Sequence, residues 1–467
     1  MPATDCLPQL RFGFHPQRHL DLDFSASHVS SDGGLLLLRQ LDERLGFLPR
    51  LASLLPDQRD QAKVVHSRLE QLRQRVFQIA CGYDDQNDAQ SLRQEPLFRT
   101  ACDRSLDDSK GLSAQSTLSR FEHLVRAKDV VALQRAIEDE YVLSLPDDTT
   151  ELVLDLDSTA DPTHGQQQLS FYHAHYGAHI YFPLLVFDHE GRLASVRLRA
   201  GNAGNNKFAT ALIVRLVRKL KARFPALQIA VRADSGFCNP RLLDAIEQLH
   251  DDLGDVFYVL GLEKNAVLCR QAEEALTEAK AESERTTKAA RVYRGIPYKA
   301  ASWSRERAVV LKAEHLLDKA NPRFVVTNLT HVPERMLYEN GYCGRGECEN
   351  RIKDFKNAMG GDRLSDTTYV ANAFRLLLHA MAYRLLDGLR REVGKVAPKQ
   401  ASVQMDTLRA RLLKVAAVVK QSVRRVVVSL PRTFPLAEVW SAVARQLGAV
   451  EREVASVMPR VASPTGA

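Results

Sequence analysis

Long apolar runs and internal repeats are both missing from this sequence of 467 residues. No run reaches the roughly 18 apolar residues that a membrane-spanning helix needs, so no membrane segment is predicted. Residues 1–14 do not place a basic stretch before an apolar one, so no secretion signal is expected. The absence of long low-complexity tracts disfavours a disordered chain. We expect a cytoplasmic globular protein.

Cysteine is scarce and scattered. The seven cysteines include no C-x-x-C pair and no nearby His at zinc spacing; they are Cys6, Cys81, Cys102, Cys238, Cys269, Cys343 and Cys348. Cys343 and Cys348 are close in sequence, but no second pair of ligands lies near them. We therefore expect reduced thiols and no zinc site.

Positive charge is in mild excess. The 64 Lys and Arg residues face 57 Asp and Glu residues, and the net charge of +7 is compatible with a polyanionic partner without identifying one. The excess is concentrated between residues 388 and 432, where eleven basic residues, including Arg424 and Arg425, face only Glu392 and Asp406. This segment is a candidate phosphate-binding surface, and a solvated basic helix face is the alternative.

The length of the chain favours about three domains. Residues 1–147 are predicted to form an all-helical amino-terminal domain, because apolar residues recur at three- and four-residue spacing in windows such as 65–81 and 130–143. Residues 148–390 are predicted to form an α/β domain that is interrupted by an inserted subdomain at about 268–330. Residues 391–467 are predicted to form a basic helical carboxyl-terminal region.

The pattern changes from helical to strand-like at Glu151. Apolar runs predict strands at 151–157, 180–188, 193–199, 227–233 and 256–260, with helices at 207–224 and 241–249. The second and third strands are joined by a short polar turn and are predicted to form an antiparallel hairpin. The order β-β-β-α-β-α-β predicts a mixed sheet with helices on its faces, which is the order of a ribonuclease-H-like core.

Two of the predicted strands end in carboxylates. Asp157 and Asp234 each close a strand and are followed by small polar residues, so both should lie at the carboxyl edge of the sheet, where open α/β sheets place ligands. Mg²⁺ prefers such hard oxygen ligands, and two ions about 4 Å apart can clamp an in-line displacement at phosphorus. Asp155 is an alternative to Asp157, because residues two apart on a strand face the same side.

A third carboxylate comes from a helix predicted at 339–359. Tyr342, Arg345, Glu349, Lys353 and Lys356 recur at spacings of three and four, so they share one helix face. A carboxylate flanked by cations suits phosphoryl transfer, in which negative charge must be stabilised throughout. From the spacing alone, a solvated helix with ordinary salt bridges is the alternative.

These residues resemble the signature of a known family. Tyr342, Arg345, Glu349 and Lys356 stand in the order Y-x2-R-x3-E-x6-K, which resembles the signature of the DDE transposases of cut-and-paste bacterial insertion sequences, those of DDE domain group 1 in particular. The blocks L-D-L-D-S-T at 154–159 and R-A-D-S-G-F at 232–237 stand in the same order as the acidic blocks of that family. The resemblance covers roughly residues 151–390.

The resemblance implies a DNA transposase in which Asp157, Asp234 and Glu349 bind two Mg²⁺ or Mn²⁺ ions. It implies that double-stranded DNA is cleaved at the terminal inverted repeats of the element and that a freed 3′-hydroxyl is joined to target DNA. A homodimer on DNA, associated with the nucleoid, is expected. The alternatives are a catalytically inactive DNA-binding regulator and a host ribonuclease-H-like nuclease.

The resemblance also implies contacts with DNA. Tyr342, Arg345 and Lys356 are expected near the cleavage site, together with Lys353 on the same helix face. Trp303 is expected to stack on an unpaired base, with packing in a small β core as the alternative.

Basic residues elsewhere are expected to hold DNA phosphates. Arg424 and Arg425 are candidates in the carboxyl-terminal region. The amino-terminal helices are expected to bind the DNA ends through Arg68, Arg73 and Arg75, with dimerisation or packing as the alternative.

Overall fold

The computed structural model describes residues 10–12, 14, 18, 20–316 and 319–451. The end of the predicted carboxyl-terminal region, residues 452–467, and Cys6 lie outside the described residues. A mixed eight-stranded sheet forms the centre of the protein, and helices pack against it. The expected mixed α/β fold is confirmed.

The amino-terminal part is mostly helical, as the periodicity predicts. Two short strands, β1 (Leu10–Phe12) and β2 (Leu20–Leu22), pair antiparallel before the helices begin. The elements that follow are β3 (Val29–Ser30), α1 (Leu35–Leu45), α2 (Phe47–Ala52), α3 (Arg68–Ala80), α4 (Asp88–Ser91), α5 (Pro96–Ala101), α6 (Gln115–Glu122) and α7 (Ala127–Ser144), with 3-10 turns at Gln61–Lys63 and Leu92–Gln94.

The central strands and helices follow the predicted order. They are β4 (Glu151–Ser158), β5 (Asp161–Pro162), β6 (Phe171–His173), β7 (Ala178–Tyr181), β8 (Leu184–Asp188), β9 (Leu193–Arg197), α8 (Ala209–Arg223), β10 (Gln228–Ala233), α9 (Pro240–Leu253) and β11 (Val256–Leu262), with a 3-10 turn at Ser235–Phe237. β8 and β9 form the predicted antiparallel hairpin. β5, β7 and β6 form a separate three-stranded sheet, which the sequence patterns did not predict.

The register of β4 fixes where its acidic residues lie. Leu152, Leu154 and Leu156 alternate along the strand and are buried in one core beneath the sheet, because side chains on a strand point alternately to its two faces. β4 runs parallel to β10, with Leu156 opposite Ala233. The residues that follow these two positions, Asp157 and Asp234, therefore emerge side by side at one edge of the sheet.

The segment predicted as an inserted subdomain instead extends the central sheet. It contains α10 (Ala266–Gln271), α11 (Glu273–Thr286), β12 (Ala290–Tyr298), β13 (Arg307–Leu316) and β14 (Lys319–Thr327). The sheet order is β12-β13-β14-β11-β10-β4-β8-β9, with β14 antiparallel to β11. The inserted segment joins the central sheet because β14 pairs with the edge of β11 and buries Phe324 and Val326 in the core that also holds the leucines of β4.

The helix predicted at 339–359 is a chain of short helical pieces of changing pitch. They are α12 (Glu334–Met336), a π-helix at Leu337–Tyr342, a 3-10 turn at Cys343–Arg345, α13 (Gly346–Lys353) and a π-helix at Asp354–Ala358. Wider π turns of this kind are rare and occur often at functional sites.

The carboxyl-terminal region is not all helical, contrary to the prediction of basic helices. Its elements are α14 (Tyr369–Val396), α15 (Met405–Leu408), β15 (Ala417–Ser422), β16 (Arg425–Ser429) and α16 (Ala437–Gln446), with a 3-10 turn at Pro398–Gln400 and a π turn at Arg409–Leu413. β15 and β16 form a hairpin, and β15 also pairs antiparallel with β3. The β-branched valines at 418, 419 and 426–428 favour strands, and this preference prevails over the helical reading of the basic residues.

α14 is the buried spine of the helical part. Most of its residues are buried, and α1, α3, α7 and α16 pack around it together with β9. The amino-terminal helices therefore share one hydrophobic core with the residues that follow the central sheet. Among the helices of the described residues, none combines the length and apolarity needed to cross a membrane.

Candidate active site

Asp157 lies at the end of β4, in a partly enclosed position. Its side chain is 14% exposed, and the backbone N–H of Ser158 donates to its Oδ1 at 2.8 Å. Burial raises the pKa of Asp157 to about 6; the charges of Asp234 and Glu349 add to this effect, and Arg345 opposes it. The pKa of Asp157 therefore depends in part on the charges of the other two predicted acids.

Asp234 follows β10 and starts a tight turn. The backbone N–H of Gly236 donates to its Oδ1 at 2.9 Å, which fixes the carboxylate at the start of the turn. A Cβ on Gly236 would lie 2.0 Å from Nδ2 of Asn205, so a larger residue here would displace the side chain of Asn205. The side chain of Asn205, from the loop before α8, therefore packs directly against the turn that holds Asp234.

Glu349 lies on α13 with its side chain 52% exposed, and Arg345 connects it to Asp157. Nη1 of Arg345 is 3.1 Å from Oδ2 of Asp157, and its Nη2 is 3.0 Å from Oε1 of Glu349. Burial disfavours the charge of Arg345, but the carboxylates of Asp157, Asp234 and Glu349 raise its pKa overall. One guanidinium thus lies among the three predicted acids.

The three carboxylates fit a hard divalent cation by chemistry and charge. Their oxygens are the ligands that Mg²⁺ prefers, and the charges of Asp234 and Glu349 add to the burial that raises the pKa of Asp157. In this structure Arg345 supplies the positive charge between two of them. No group of three or more His, Cys, Asp or Glu side chains among the described residues is arranged closely enough to hold a metal ion.

Asp155, the alternative first acid, is held by Arg232. Asp155 is buried, and Arg232 donates to both of its carboxylate oxygens, at 2.5 and 2.8 Å. Nη1 of Arg232 also donates to the carbonyl oxygen of Gly341 at 2.5 Å. Arg232 thereby joins β4, β10 and the helical segment that bears Glu349. Asp155 has a structural role because its carboxylate is occupied by Arg232, and Asp157 is the acid that contacts Arg345.

Tyr342 reaches the same edge of the sheet across a glycine. A Cβ on Gly261, in β11, would lie 2.6 Å from the hydroxyl of Tyr342 and 2.8 Å from the backbone nitrogen of Ser235. The missing side chain at Gly261 lets Tyr342 lie beside the turn that follows Asp234. Burial raises the pKa of Tyr342, so its hydroxyl stays protonated at neutral pH.

The two lysines of the predicted helix face differ in their surroundings. Nζ of Lys356 donates to the carbonyl oxygen of Ala160 at 2.8 Å and lies 3.6 Å from a carboxylate oxygen of Asp362. Lys356 is therefore held beside the chain that leaves β4. Lys353 is exposed on the last turn of α13.

Asp161, which sequence reasoning missed, is a buried carboxylate near Lys356. Neither of its side-chain oxygens has a hydrogen-bond partner in the described structure. Burial raises its pKa to about 9; Asp362 adds to the effect and Lys356 opposes it. Its position four residues after Asp157 was the only available signal, because its burial depends on the unpredicted small sheet.

Trp303 lies in the core rather than on the surface. The indole is 6% exposed, packs edge-to-face on Tyr298 with ring centroids 5.4 Å apart, and lies beneath the guanidinium of Arg307. Arg307 is itself fixed by Glu247 at 2.7 Å. Packing, the alternative interpretation from the sequence, therefore describes Trp303 in this structure.

The predicted basic surfaces are only partly exposed. Arg73 and Arg75 are buried in ion pairs with Asp42 and Glu122, at 3.0 and 2.9 Å, so the expectation that they hold phosphate is wrong. α3 is enclosed on most of its circumference, and its guanidinium groups therefore need partners inside the protein.

The carboxyl-terminal basic segment is also discontinuous. Arg390 is buried against Asp387, and Lys414 pairs with Asp32 at 2.7 Å. Arg424 and Arg425 are exposed at the tip of the β15–β16 hairpin, and this part of the segment presents two adjacent arginines to solvent.

The small sheet β5-β7-β6 lies next to the acids. β5 begins three residues after β4 ends, and Thr159 donates its N–H to the carbonyl oxygen of Pro183, just before β8, at 3.2 Å. Tyr176, between β6 and β7, has its pKa raised by burial and by the charges of Asp157 and Asp234.

Comparison with known proteins gives a family match along nearly the whole chain. The profile of the family described as transposase DDE domain group 1 matches residues 12–452. Among solved structures, the piggyBac transposase in a cryo-EM synaptic complex with hairpin DNA is similar with a TM-score of 0.41 and 11% sequence identity, over 82% of this chain and 80% of that chain. A search of curated proteins found no match.

We predict that Asp155→Ala destabilises the protein by about 3–5 kcal/mol, because it leaves the guanidinium of Arg232 buried without its carboxylate. Urea unfolding would measure the loss. The double variant Asp155→Leu with Arg232→Met should recover most of it, since a buried pair can be replaced by apolar side chains at little cost. Glu282→Gln, which breaks an exposed pair with Arg285, is the control. Equal stability of Asp155→Ala and wild type would contradict the supporting role of Arg232.

We predict that the stability of the protein depends on pH through Asp161. Its folded pKa of about 9 lies above the unfolded value of about 3.9, so its stabilising contribution is complete below about pH 4 and is lost as the pH rises toward 9. Asp161→Asn cannot ionise, so its free energy of unfolding relative to wild type should increase between pH 5 and pH 8. Exposed Asp148→Asn is the control. A constant difference between Asp161→Asn and wild type at both pH values would refute the prediction.

Proposed function

The chain belongs to the transposase DDE domain group 1 family and is a DNA transposase, and on this premise we propose that it cleaves the ends of an insertion sequence and joins the freed 3′-hydroxyl to target DNA. The observation that carries the proposal is the group of Asp157, Asp234 and Glu349 around Arg345. Asp157 and Asp234 follow two neighbouring strands at the carboxyl edge of the sheet, where α/β folds bind ligands, and Arg345 links Asp157 to Glu349 on α13.

We propose that the catalytic part has a ribonuclease-H-like core. The strand order β9-β8-β4-β10-β11 within the central sheet supports this assignment. The antiparallel pairing of β4 with β8 and of β8 with β9 also supports it. So does the parallel pairing of β10 with both β4 and β11. In this arrangement the first strand lies at the centre of the core and carries Asp157.

Asp157, Asp234 and Glu349 are the residues that would hold two Mg²⁺ or Mn²⁺ ions. Such ions supply Lewis-acid stabilisation of the attacking and leaving oxygens at phosphorus. The fit rests on the carboxylate donors and on their mutual repulsion, which a cation relieves.

Arg345 is proposed to bind the DNA backbone beside the reacting phosphate. Its planar guanidinium can hold two phosphate oxygens at once, and its present partners, Asp157 and Glu349, are the acids of the site. Tyr342, with a protonated hydroxyl next to Ser235, can donate to a phosphate oxygen. Lys356 is held near the end of β4 and Lys353 is exposed to solvent, so both add positive charge along the same face.

The partners are proposed to be the terminal inverted repeats and target DNA, bound by a homodimer. The hairpin β15–β16 carries the exposed Arg424 and Arg425. A two-stranded β-ribbon fits the major groove of DNA. The amino-terminal helices are proposed to contribute to recognition of the DNA ends or to dimerisation. They share one hydrophobic core with α14 and with β8 and β9 of the central sheet, so a partner bound to these helices would be held in a fixed position relative to the sheet.

We predict that Asp157→Ala, Asp234→Ala and Glu349→Ala each lower DNA cleavage by at least about 100-fold, because loss of a metal ligand removes the ion's function. Folding and DNA binding should persist. Nicking of a plasmid carrying the DNA that flanks the gene would be measured with Mg²⁺ and with Mn²⁺, alongside melting temperature and DNA affinity. Glu347→Ala, on the same helix and paired with Arg351, is the matched control. A triad variant that still cuts at the wild-type rate removes that residue from the site.

We predict that Arg424→Ala with Arg425→Ala weakens DNA binding and lowers the slope of log affinity against log salt by about one unit for each phosphate that these arginines neutralise. The control is Lys280→Ala with Arg285→Ala on α11, which removes the same charge from a helix rich in glutamate. Fluorescence anisotropy over a series of salt concentrations would give both slopes. A slope equal to that of the wild type would mean that the hairpin tip is only a solvated surface.

A further inference from the structure

The small sheet next to the acids exposes aromatic rings. Tyr176 is 43% exposed and Tyr172 is 60% exposed, and both belong to the segment from β6 to β7. A tyrosine ring presents an apolar, planar face to solvent. An exposed ring beside the acids is therefore available to a ligand that has a planar surface of its own.

The segment around these rings carries no permanent charge. Residues 162–187 contain no Asp, Glu, Lys or Arg, although the chain as a whole is 26% charged. A surface that holds phosphate needs cations, and this segment has none apart from its histidines. A nucleobase is uncharged and has a planar face, and aromatic side chains recognise such faces by stacking.

The ring of Tyr176 is held in place by its neighbours. Its centroid lies 5.1 Å from that of His173, 4.8 Å from that of His175 and 6.2 Å from that of Phe182. Phe182 is buried beneath the guanidinium of Arg199. A ring supported in this way loses little conformational freedom when a base stacks on it, which favours binding.

The position of Tyr176 connects it with the reaction. The ring of Phe182, a neighbour of Tyr176, lies beneath the guanidinium of Arg199. Arg199 donates to the hydroxyl of Ser158, next to Asp157, at 2.6 Å, and β5 continues directly from the strand that bears Asp157. Tyr172 differs in this respect, because strand alternation turns it away from His173, the neighbour of Tyr176. Tyr172 pairs across the sheet with His179 instead.

We propose that Tyr176, supported by His173 and His175, is a stacking site for an unpaired base of the DNA strand at the cleavage point. This proposal rests on the proposed function, since it assumes DNA with separated strands next to Asp157 and Asp234. Trp303 is packed against Tyr298 and would have to leave the core to do the same, whereas Tyr176 is already exposed.

The test compares DNA binding without divalent metal, so that no cleavage takes place. The probes are a blunt duplex, the same duplex with a short single-stranded thymidine overhang, and that overhang built from abasic nucleotides. Wild-type protein should prefer the thymidine overhang to both other probes. Tyr176→Ala should reduce this preference by roughly five-fold or more, the effect of losing one stacked base, and Tyr176→Phe should retain it. Tyr172→Ala, on the same sheet, is the matched control and should also retain it.

Four outcomes would overturn the proposal. They are a wild-type protein that binds the blunt duplex and the thymidine overhang equally, an abasic overhang that binds as well as thymidine, a Tyr176→Ala variant that keeps the preference, and a Tyr172→Ala variant that loses it equally. If Tyr176→Ala instead abolishes self-association of the chain while the preference persists, the ring is a contact between two copies. Each result is independent of nicking by the triad variants, so this proposal and the proposed function can fail separately.

Discussion

The contact of Arg232 with Asp155 and with the carbonyl oxygen of Gly341 is the constraint on which the site depends. It joins three elements that are distant in sequence, and each of them carries one of the acids or leads to it. A buried guanidinium needs nearly all of its donors satisfied, so the three elements cannot shift independently. A Cβ on Gly344 would lie 2.4 Å from Nη1 of Arg232, which shows how closely the helical segment approaches this residue.

The electrostatics of the site follow from that geometry. Burial at the partly enclosed sheet edge is the main cause of the raised pKa of Asp157, and the charges of Asp234 and Glu349 add to it. Arg345 offsets the repulsion in the protein alone. Arg345 neutralises the acids in the protein alone, and in the proposed complex it would bind a DNA phosphate instead. The net charge of the site would then depend on whether DNA is bound. Positive charge on this helical segment is therefore a requirement of the acids as well as of the substrate.

Much of the catalytic sheet could be predicted from the sequence, because strand and helix periodicity are local properties. The hairpin of β8 and β9 and the placement of Asp157 and Asp234 after their strands follow from such patterns. Pairing between distant segments is not local: nothing in 290–327 indicates that β14 would extend β11, or that Arg232 would select Asp155. The basic segment of residues 388–432 was predicted as a helical surface for a related reason. A count of charges cannot show that Arg390 and Lys414 have partners inside the protein. The valines of β15 and β16 were the stronger indication of local structure.

In the proposed function, surfaces of different chemistry bind different parts of the DNA. The exposed arginines of the β15–β16 hairpin can hold phosphates, which fix the position of a duplex without reading its bases. The segment of residues 162–187 beside Asp157 contains no Asp, Glu, Lys or Arg, and it offers the ring of Tyr176, which suits an uncharged base. An arginine in place of Tyr176 would compete with Arg345 for the carboxylates of Asp157 and Asp234. An uncharged aromatic side chain can approach the acidic edge without altering its charge balance, and this is the physical reason for a tyrosine at that position.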